Sequence, residues 1–197
     1  YTFLEVVFMN VTVGVSNHHL HVTKEDLEIL FGPGYTLESV RPLNQPGQFA
    51  SSAMCQIQTD KCTMDKFRIL GPCRSYTQVE ISKTDSYAFG INPPIRESGH
   101  LDGAAVVTII GPVGKVTKPC CIIADRHIHI DHETRAKLGL LDVNEVKLKW
   151  THPEKGGILD HVQLKETNPA YFEVHLDTDD ANANMIGNGD VVEIIKD

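Results

Sequence analysis

The 197-residue sequence has little that would staple a secreted domain together and little that would draw it onto nucleic acid. Its five cysteines, Cys55, Cys62, Cys73, Cys120 and Cys121, are an odd number with no CxxC pair. That excludes a regular disulfide framework and points to thiols used as small apolar side chains in a reducing compartment. Positive charge is scarce: 18 Lys and Arg against 26 Asp and Glu give a net charge of −8. Such a balance disfavours a broad nucleic-acid or anionic-membrane footprint, while leaving room for one small anionic ligand. Long hydrophobic runs are missing too. The uncharged stretch at 103–114 is too short and too broken by Gly and Pro to span a bilayer. Residues 1–15 carry one charge, Glu5, and no basic segment, so they do not read as a signal peptide. The expected location is the cytoplasm, with neither membrane nor nucleic acid as partner. Walker A, GxGxxG and GxSxG patterns are all absent, which removes support for nucleotide hydrolysis, Rossmann dehydrogenase chemistry and a serine acyl-enzyme.

Histidine, by contrast, is plentiful: ten residues, unevenly placed. The segment HLHVTKEDLEIL from His19 and the segment HIHIDHETRAKL from His127 match at an offset of 108. Each HxH follows an apolar-alternating strand. Each precedes an N-cap residue, Thr23 or Asp131, and a short helix ending near Gly32 or Gly139. A second pair of blocks, 77–85 and 172–180, matches at an offset of 95 and sets Glu80 opposite His175. Two matched blocks in the same order point to an internal duplication. The shorter second offset places about 13 extra residues in the first half, expected around a hairpin tip at 60–66. Elsewhere short alternating strands are separated by Gly-Pro, Asn-Pro and Asn-Gly turns. The expected fold is mainly β: two small β-barrel domains from an internal duplication, with short capping helices. Residues 1–98 form the first repeat and 99–197 the second, with an approximate boundary, strands open to exchange, and a linker at 91–100.

Residues i and i+2 of a strand point to one face, so His19/His21 and His127/His129 each present two imidazoles together. With Glu80 and His175 they make six N/O ligands, enough for two metals with three protein ligands and an open position each. Zinc is the default for such a set, with other divalent metals also suited. A single HxH is an ordinary strand feature; two in repeat-related positions favour metal. Arg74, on a turn six residues before Glu80, would share a face with it on a continuous strand. A guanidinium there would anchor phosphate or carboxylate, or form a surface salt bridge. Arg126 reads as a brace of the strand end. His18, His132, His152 and His161 read as surface residues, and His100, in the linker, is uninformative.

The motifs SNHHLHVTKEDLEILFG, GPCRSYTQVEIS, INPPIRESGHLDG, ADRHIHIDHE and EVHLDTDDANA occur in this order over nearly the whole chain. Together they resemble the PduL-type phosphotransacylases (phosphate propanoyltransferases) of bacterial microcompartments. The resemblance implies two β-barrel domains, a two-zinc site held by His19, His21, Glu80, His127, His129 and His175, and Arg74 as the phosphate-binding residue. It implies transfer of a short acyl group, propanoyl or acetyl, between coenzyme A and phosphate. Propanediol degradation and microcompartment shell or cargo proteins are the associated context. The sequence departs from the family pattern at His18, usually Arg, and at Cys73 and Asp125, usually Ala. The amphipathic N-terminal peptide by which some members enter a microcompartment is not visible, so encapsulation stays open, as does homodimerisation. The rival readings are a dinuclear metal hydrolase of an ester or phosphoester, with Glu133 or Asp177 as base, and a non-enzymatic metal-binding module.

Overall fold

A computed structural model describes residues 9–196. Residues 1–8, on which part of the signal-peptide expectation falls, lie outside the described residues. In chain order the first elements are β1 (Met9–Ser16), β2 (His19–His21), α1 (Lys24–Phe31), β3 (Ser39–Pro42), β4 (Phe49–Gln58), β5 (Thr63–Gly71), β6 (Gln78–Glu80), α2 (Lys83–Phe89) and β7 (Ile95–Arg96). Then come β8 (Ala105–Ile110), β9 (Lys115–Ala124), β10 (His127–Ile130), α3 (His132–Lys137), β11 (Glu145–Trp150), β12 (Gly157–Glu166), β13 (Glu173–Asp177), α4 (Thr178–Asn184) and β14 (Val191–Ile195). None of these helices is long and apolar enough to cross a membrane.

Two compact units result, and each contains a closed six-stranded barrel. In residues 17–125 the ring runs β4–β5–β2–β6–β9–β8 and back to β4, with β3 added at β4 and β7 at β9. In residues 126–196 together with 9–16 it runs β11–β12–β10–β13–β1–β14 and back to β11. Strand for strand the two rings have the same order and the same parallel or antiparallel sense. The HxH strand pairs in parallel on one side and antiparallel on the other in both (β2 with β5 and β6, β10 with β12 and β13).

The expected division at 98 and 99 follows the repeat, whereas the compact units cut the chain at 16 and 125. The reason is hydrogen bonding. β1 leads into β2 along the chain but pairs with β13 and β14; β9 leads into β10 but pairs with β6, β7 and β8. The segment at 91–100 is no linker between units. Its strand β7 pairs with β9, Ile95 opposite Ile123, inside the unit 17–125. The hairpin tip is also tighter than expected, since β5 already begins at Thr63. Much of the extra length of the first repeat lies at 32–48, between α1 and β4 and including β3, where the second repeat has only 138–144 between α3 and β11.

Alternation explains the wall of each barrel. Leu20, Val79, Ile69 and Cys121 turn inward in one, and Ile128, Ile130, Val174 and Leu176 in the other, all nearly devoid of solvent. Each such aliphatic side chain contributes roughly 1.5–3 kcal/mol by leaving water. The histidines between them face the opposite side. The helices that follow are capped as the sequence suggests: Thr23 accepts from the Asp26 amide and Asp131 from the Thr134 amide. Ser82 and Asp177, also repeat-related, cap α2 and α4 by accepting from the amides of Asp85 and Asp180. Each cap stands two residues after the last candidate ligand of its strand and opens the helix that follows.

All five cysteines are free thiols, with Cys55, Cys120 and Cys121 buried. Burial raises the Cys55 and Cys120 thiols to about 12, so they remain protonated apolar filling.

Candidate metal centres

Each barrel gathers three of the six expected ligands. In the unit 17–125, His19 stands directly opposite Glu80 across the antiparallel β2/β6 ladder, with His21 opposite Gln78. In the other unit, His127 stands opposite His175 and His129 opposite Glu173. The register is therefore the same, and the ligand atoms of each trio lie within 4.8 Å of one another. The imidazoles of each HxH meet edge to face, at centroid separations of 5.1 Å for His19/His21 and 4.8 Å for His127/His129.

The hydrogen bonds behind the rings decide which nitrogens are available. His19 Nδ1 lies 2.8 Å from the Asn17 carbonyl and His21 Nδ1 lies 3.3 Å from the Leu70 carbonyl. A carbonyl only accepts, so both rings carry hydrogen on Nδ1 and offer the Nε2 lone pair. His19 Nε2 is 3.5 Å from Glu80 Oε2, and His21 Nε2 is 4.0 Å from Glu80 Oε1. Ligands about 2.0–2.2 Å from a tetrahedral zinc ion stand about 3.3–3.6 Å apart, so small side-chain movements would close this trio around one. The donor sets, N/N/O and N/N/N, fit a divalent transition metal.

Electrostatics agree with that fit. Burial disfavours charge on His19, but the Glu80 carboxylate and the Asn17 carbonyl outweigh it and hold the imidazole pKa above its ordinary value. His21 goes well below its ordinary value, through burial first and then the neighbouring positive charges of His19 and Arg74. Glu80 thus favours positive charge beside it while burial disfavours charge on His21, and a cation bound at the trio would meet both preferences.

Arg74 belongs to the same surroundings by a different route from the one expected. It does not share a strand with Glu80, because β6 begins only at Gln78. Its amide instead donates to the Val22 carbonyl, and its guanidinium donates to Tyr76 Oη at 2.8 Å and Ser98 Oγ at 3.1 Å. Ser98 in turn donates to Glu80 Oε1 and accepts from Gln78 Nε2, which also donates to Glu80 Oε1 at 2.6 Å. Arg74 is therefore one residue removed from Glu80, held by a serine, a tyrosine and a backbone carbonyl.

The other singled-out residues fall away from chemistry. Arg126 grips Asp180 bidentately at 2.7 and 2.6 Å and reaches the Asp160 carbonyl, so it braces the strand end. His18 is half-buried rather than exposed: it stacks on Phe67 and pairs with Asp85 in the α2 capping box. His132, His161 and His100 are exposed and lie beside the carboxylates of Glu166, Glu145 and Glu97. Of the two bases of the hydrolase reading, Glu133 pairs with Lys137 on an exposed helix face and Asp177 caps α4.

The sequence profile of the phosphate propanoyltransferases matches residues 12–187. The chain belongs to the phosphate propanoyltransferase family. A phosphate propanoyltransferase of Rhodopseudomonas palustris (strain BisB18) is 44% identical over 94% of this chain and 82% of its own length. One from Thermotoga maritima is 43% identical over 94% of this chain and 89% of its own. One from Levilactobacillus brevis is 38% identical over the same two shares. The span that matches the phosphate propanoyltransferase profile contains both trios and Arg74.

Sequence reasoning missed Gln78 and Ser98, which contact Glu80, and Tyr171 and Glu173, which contact His175. A signal existed for two of them. Gln78 and Glu173 occupy one position of the second repeat block, two residues before Glu80 and His175 and hence on the same strand face. Tyr171 and Ser98 lie outside strands, where alternation leaves no mark.

Proposed function

We propose that this phosphate propanoyltransferase family member is a phosphate acyltransferase that moves a short acyl group, propanoyl or acetyl, between coenzyme A and inorganic phosphate at two zinc ions acting on one reaction. His19, His21 and Glu80 hold one ion, and His127, His129 and His175 the other. The observation that carries the reading is the pair of three-ligand trios at one ladder register in a member of this family. Three protein ligands leave a tetrahedral ion an open position, which is the arrangement of a catalytic site. Bound there, zinc supplies Lewis acidity toward a thioester carbonyl, a departing thiolate or a phosphate oxygen.

The chain's own residues do the rest. Arg74 holds phosphate through a planar, permanently charged guanidinium, which suits oxyanions, while Tyr76 and Ser98 limit its movement. A phosphate oxygen so placed attacks the acyl carbon, the C–S bond breaks, and coenzyme A leaves as its thiolate. Orientation of two bound reactants supplies part of the barrier reduction without a covalent enzyme intermediate. The buried Cys55 and Cys120 thiols, pushed up to about 12, are unsuited to act as nucleophiles.

The test is thiol release from propanoyl- or acetyl-coenzyme A with and without phosphate. Release that requires phosphate, with intersecting double-reciprocal lines, is expected. Release without phosphate favours metal-assisted hydrolysis instead, and parallel lines rule out direct transfer.

A further inference from the structure

Gln78 is fully buried beside the trio of His19, His21 and Glu80, and the acyl transfer described above gives it no task. Its Oε1 accepts from the Gly99 amide at 2.8 Å. A backbone N–H only donates, so the carboxamide cannot be turned over, and both of its hydrogens lie on the far atom. One goes from Nε2 to Glu80 Oε1 at 2.6 Å and the other to Ser98 Oγ at 2.8 Å. The carboxylate demands the same orientation, because an amide oxygen there would face another acceptor.

We propose that Gln78 is the positioning residue of this trio: from one carboxamide it holds Glu80 toward the metal and Ser98 toward Arg74, and so sets the phosphate anchor in a fixed place relative to the ion. The inference rests on the metal and phosphate reading above and adds to it the residue that ties the two together. A hydrogen bond donated to a ligating carboxylate limits its rotation and orients it for the cation. Glu80 Oε2 lies on the side of His19, 3.5 Å from its Nε2.

Three further features fit. The backbone of Gln78 is as firmly placed as that of the ligands. It stands opposite His21 in the β2/β6 ladder, and the residue before it, Thr77, accepts from the Thr23 amide at 3.1 Å and donates to the buried Asp26, which Lys118 also meets. Gly99, with φ 102°, makes the turn that brings its own amide and the Ser98 hydroxyl to Gln78, in a conformation that side chains disfavour. The repeat gives the third feature. At the matching ladder position of the other barrel, opposite His129, stands Glu173, which has no amide hydrogen to give. The amide donor occurs where the third member of the trio is a carboxylate.

The test uses the full chain and Gln78→Met, which keeps length and bulk but donates nothing. In a His129→Ala background, which keeps the ion of the trio His19, His21 and Glu80, chelator competition should show zinc held about ten- to a hundredfold more weakly once Gln78 is replaced. In a His21→Ala background, whose remaining ion sits in the other trio, the same replacement should leave zinc affinity unchanged. With both trios intact, added zinc should raise the turnover of Gln78→Met, whereas a several-fold raised phosphate concentration for half-saturation should persist, because Ser98 has lost the amide that holds it beside Arg74. A general loss of structure would weaken both ions alike. Equal weakening in the two backgrounds, unchanged zinc affinity in the first, or an unchanged phosphate requirement overturns the proposal. If His129→Ala alone binds no zinc, the metal reading itself fails at this trio, and the inference with it. If Gln78→Met does not fold, a crystal of the zinc-loaded unaltered chain decides: Gln78 Nε2 is expected within hydrogen-bond distance of both Glu80 and Ser98, and an amide turned away from either overturns the role.

Discussion

The barrel of residues 17–125 and the barrel of 126–196 with 9–16 place their trios at one pair of ladder positions, yet surround them with opposite hydrogen-bond polarity. In the first, His19 and His21 are held from behind by backbone carbonyls, and the third member of the trio is a carboxylate steadied by an amide. In the second, the third member of the trio is an imidazole in contact with a carboxylate and a tyrosine. Register is a property of the whole ladder, because a one-residue slip would turn every core side chain outward. The identity of a ligand is local, so a duplicated barrel can change Glu to His at one position if the neighbour two residues away changes with it.

Removing one ligand from each barrel tests the equivalence hardest. His21→Ala and His129→Ala should each lower bound zinc by one ion per chain and turnover by on the order of a thousandfold, the equivalent of several kcal/mol. Metal quantification beside the phosphate-dependent assay reads both, and loss of two ions from one substitution would break the comparison. Next in size are the repeat-related core residues Leu20 and Ile128, both without solvent exposure. Leu20→Ala and Ile128→Ala should each cost about 2–5 kcal/mol in urea unfolding; a cost under about 1 kcal/mol at either would show that the cores are not equivalent.

The two arginines come third. Arg74→Ala should raise the phosphate concentration for half-saturation about 10- to 100-fold, the equivalent of roughly 1.5–3 kcal/mol of charged hydrogen bonding, and leave zinc bound. Arg126→Ala, which loses only its grip on Asp180 and the Asp160 carbonyl, should lower stability without changing the phosphate requirement. A loss of zinc with Arg74→Ala would make that residue structural.

The smallest effect is in pH. The His19 pKa is raised in the folded chain, so without metal its pairing with Glu80 adds stability that is fully present below the ordinary imidazole value of about 6.5 and is lost as pH rises through the raised value. His21 runs the other way: its lowered pKa adds stability present above about 6.5 and lost as pH falls through the lowered value. A proton on His19 competes with metal, so zinc at this trio should be retained on the alkaline side and released on acidification. Zinc retained per chain after dialysis between about pH 8 and about pH 5 reads the effect; retention unchanged over that range would refute it.

Much of this was written in short-range sequence. The HxH spacing, the caps at Thr23 and Asp131, and the match of Glu80 with His175 each depend on residues within one strand or one turn, and periodicity exposes them. Other features depend on partners far along the chain. Arg74 reaches Glu80 through Ser98, from a loop with no period to read. The insertion went to 32–48 rather than the hairpin tip because two strands tolerate a changed loop almost anywhere their pairing is kept. The unit boundaries at 16 and 125 follow from which strands bond, and no local pattern in β1 or β9 says whose edge each will meet.

The exchange of β1 and β9 bears on how this protein can be taken apart. A cut between Ile110 and Lys115 leaves a leading piece that carries β1, a stave of the other barrel, and lacks β9, the stave its own barrel needs. The trailing piece has the mirror-image fault. Neither would close with the pairings seen here unless the other were supplied, so co-expressed halves should reconstitute what separate halves cannot.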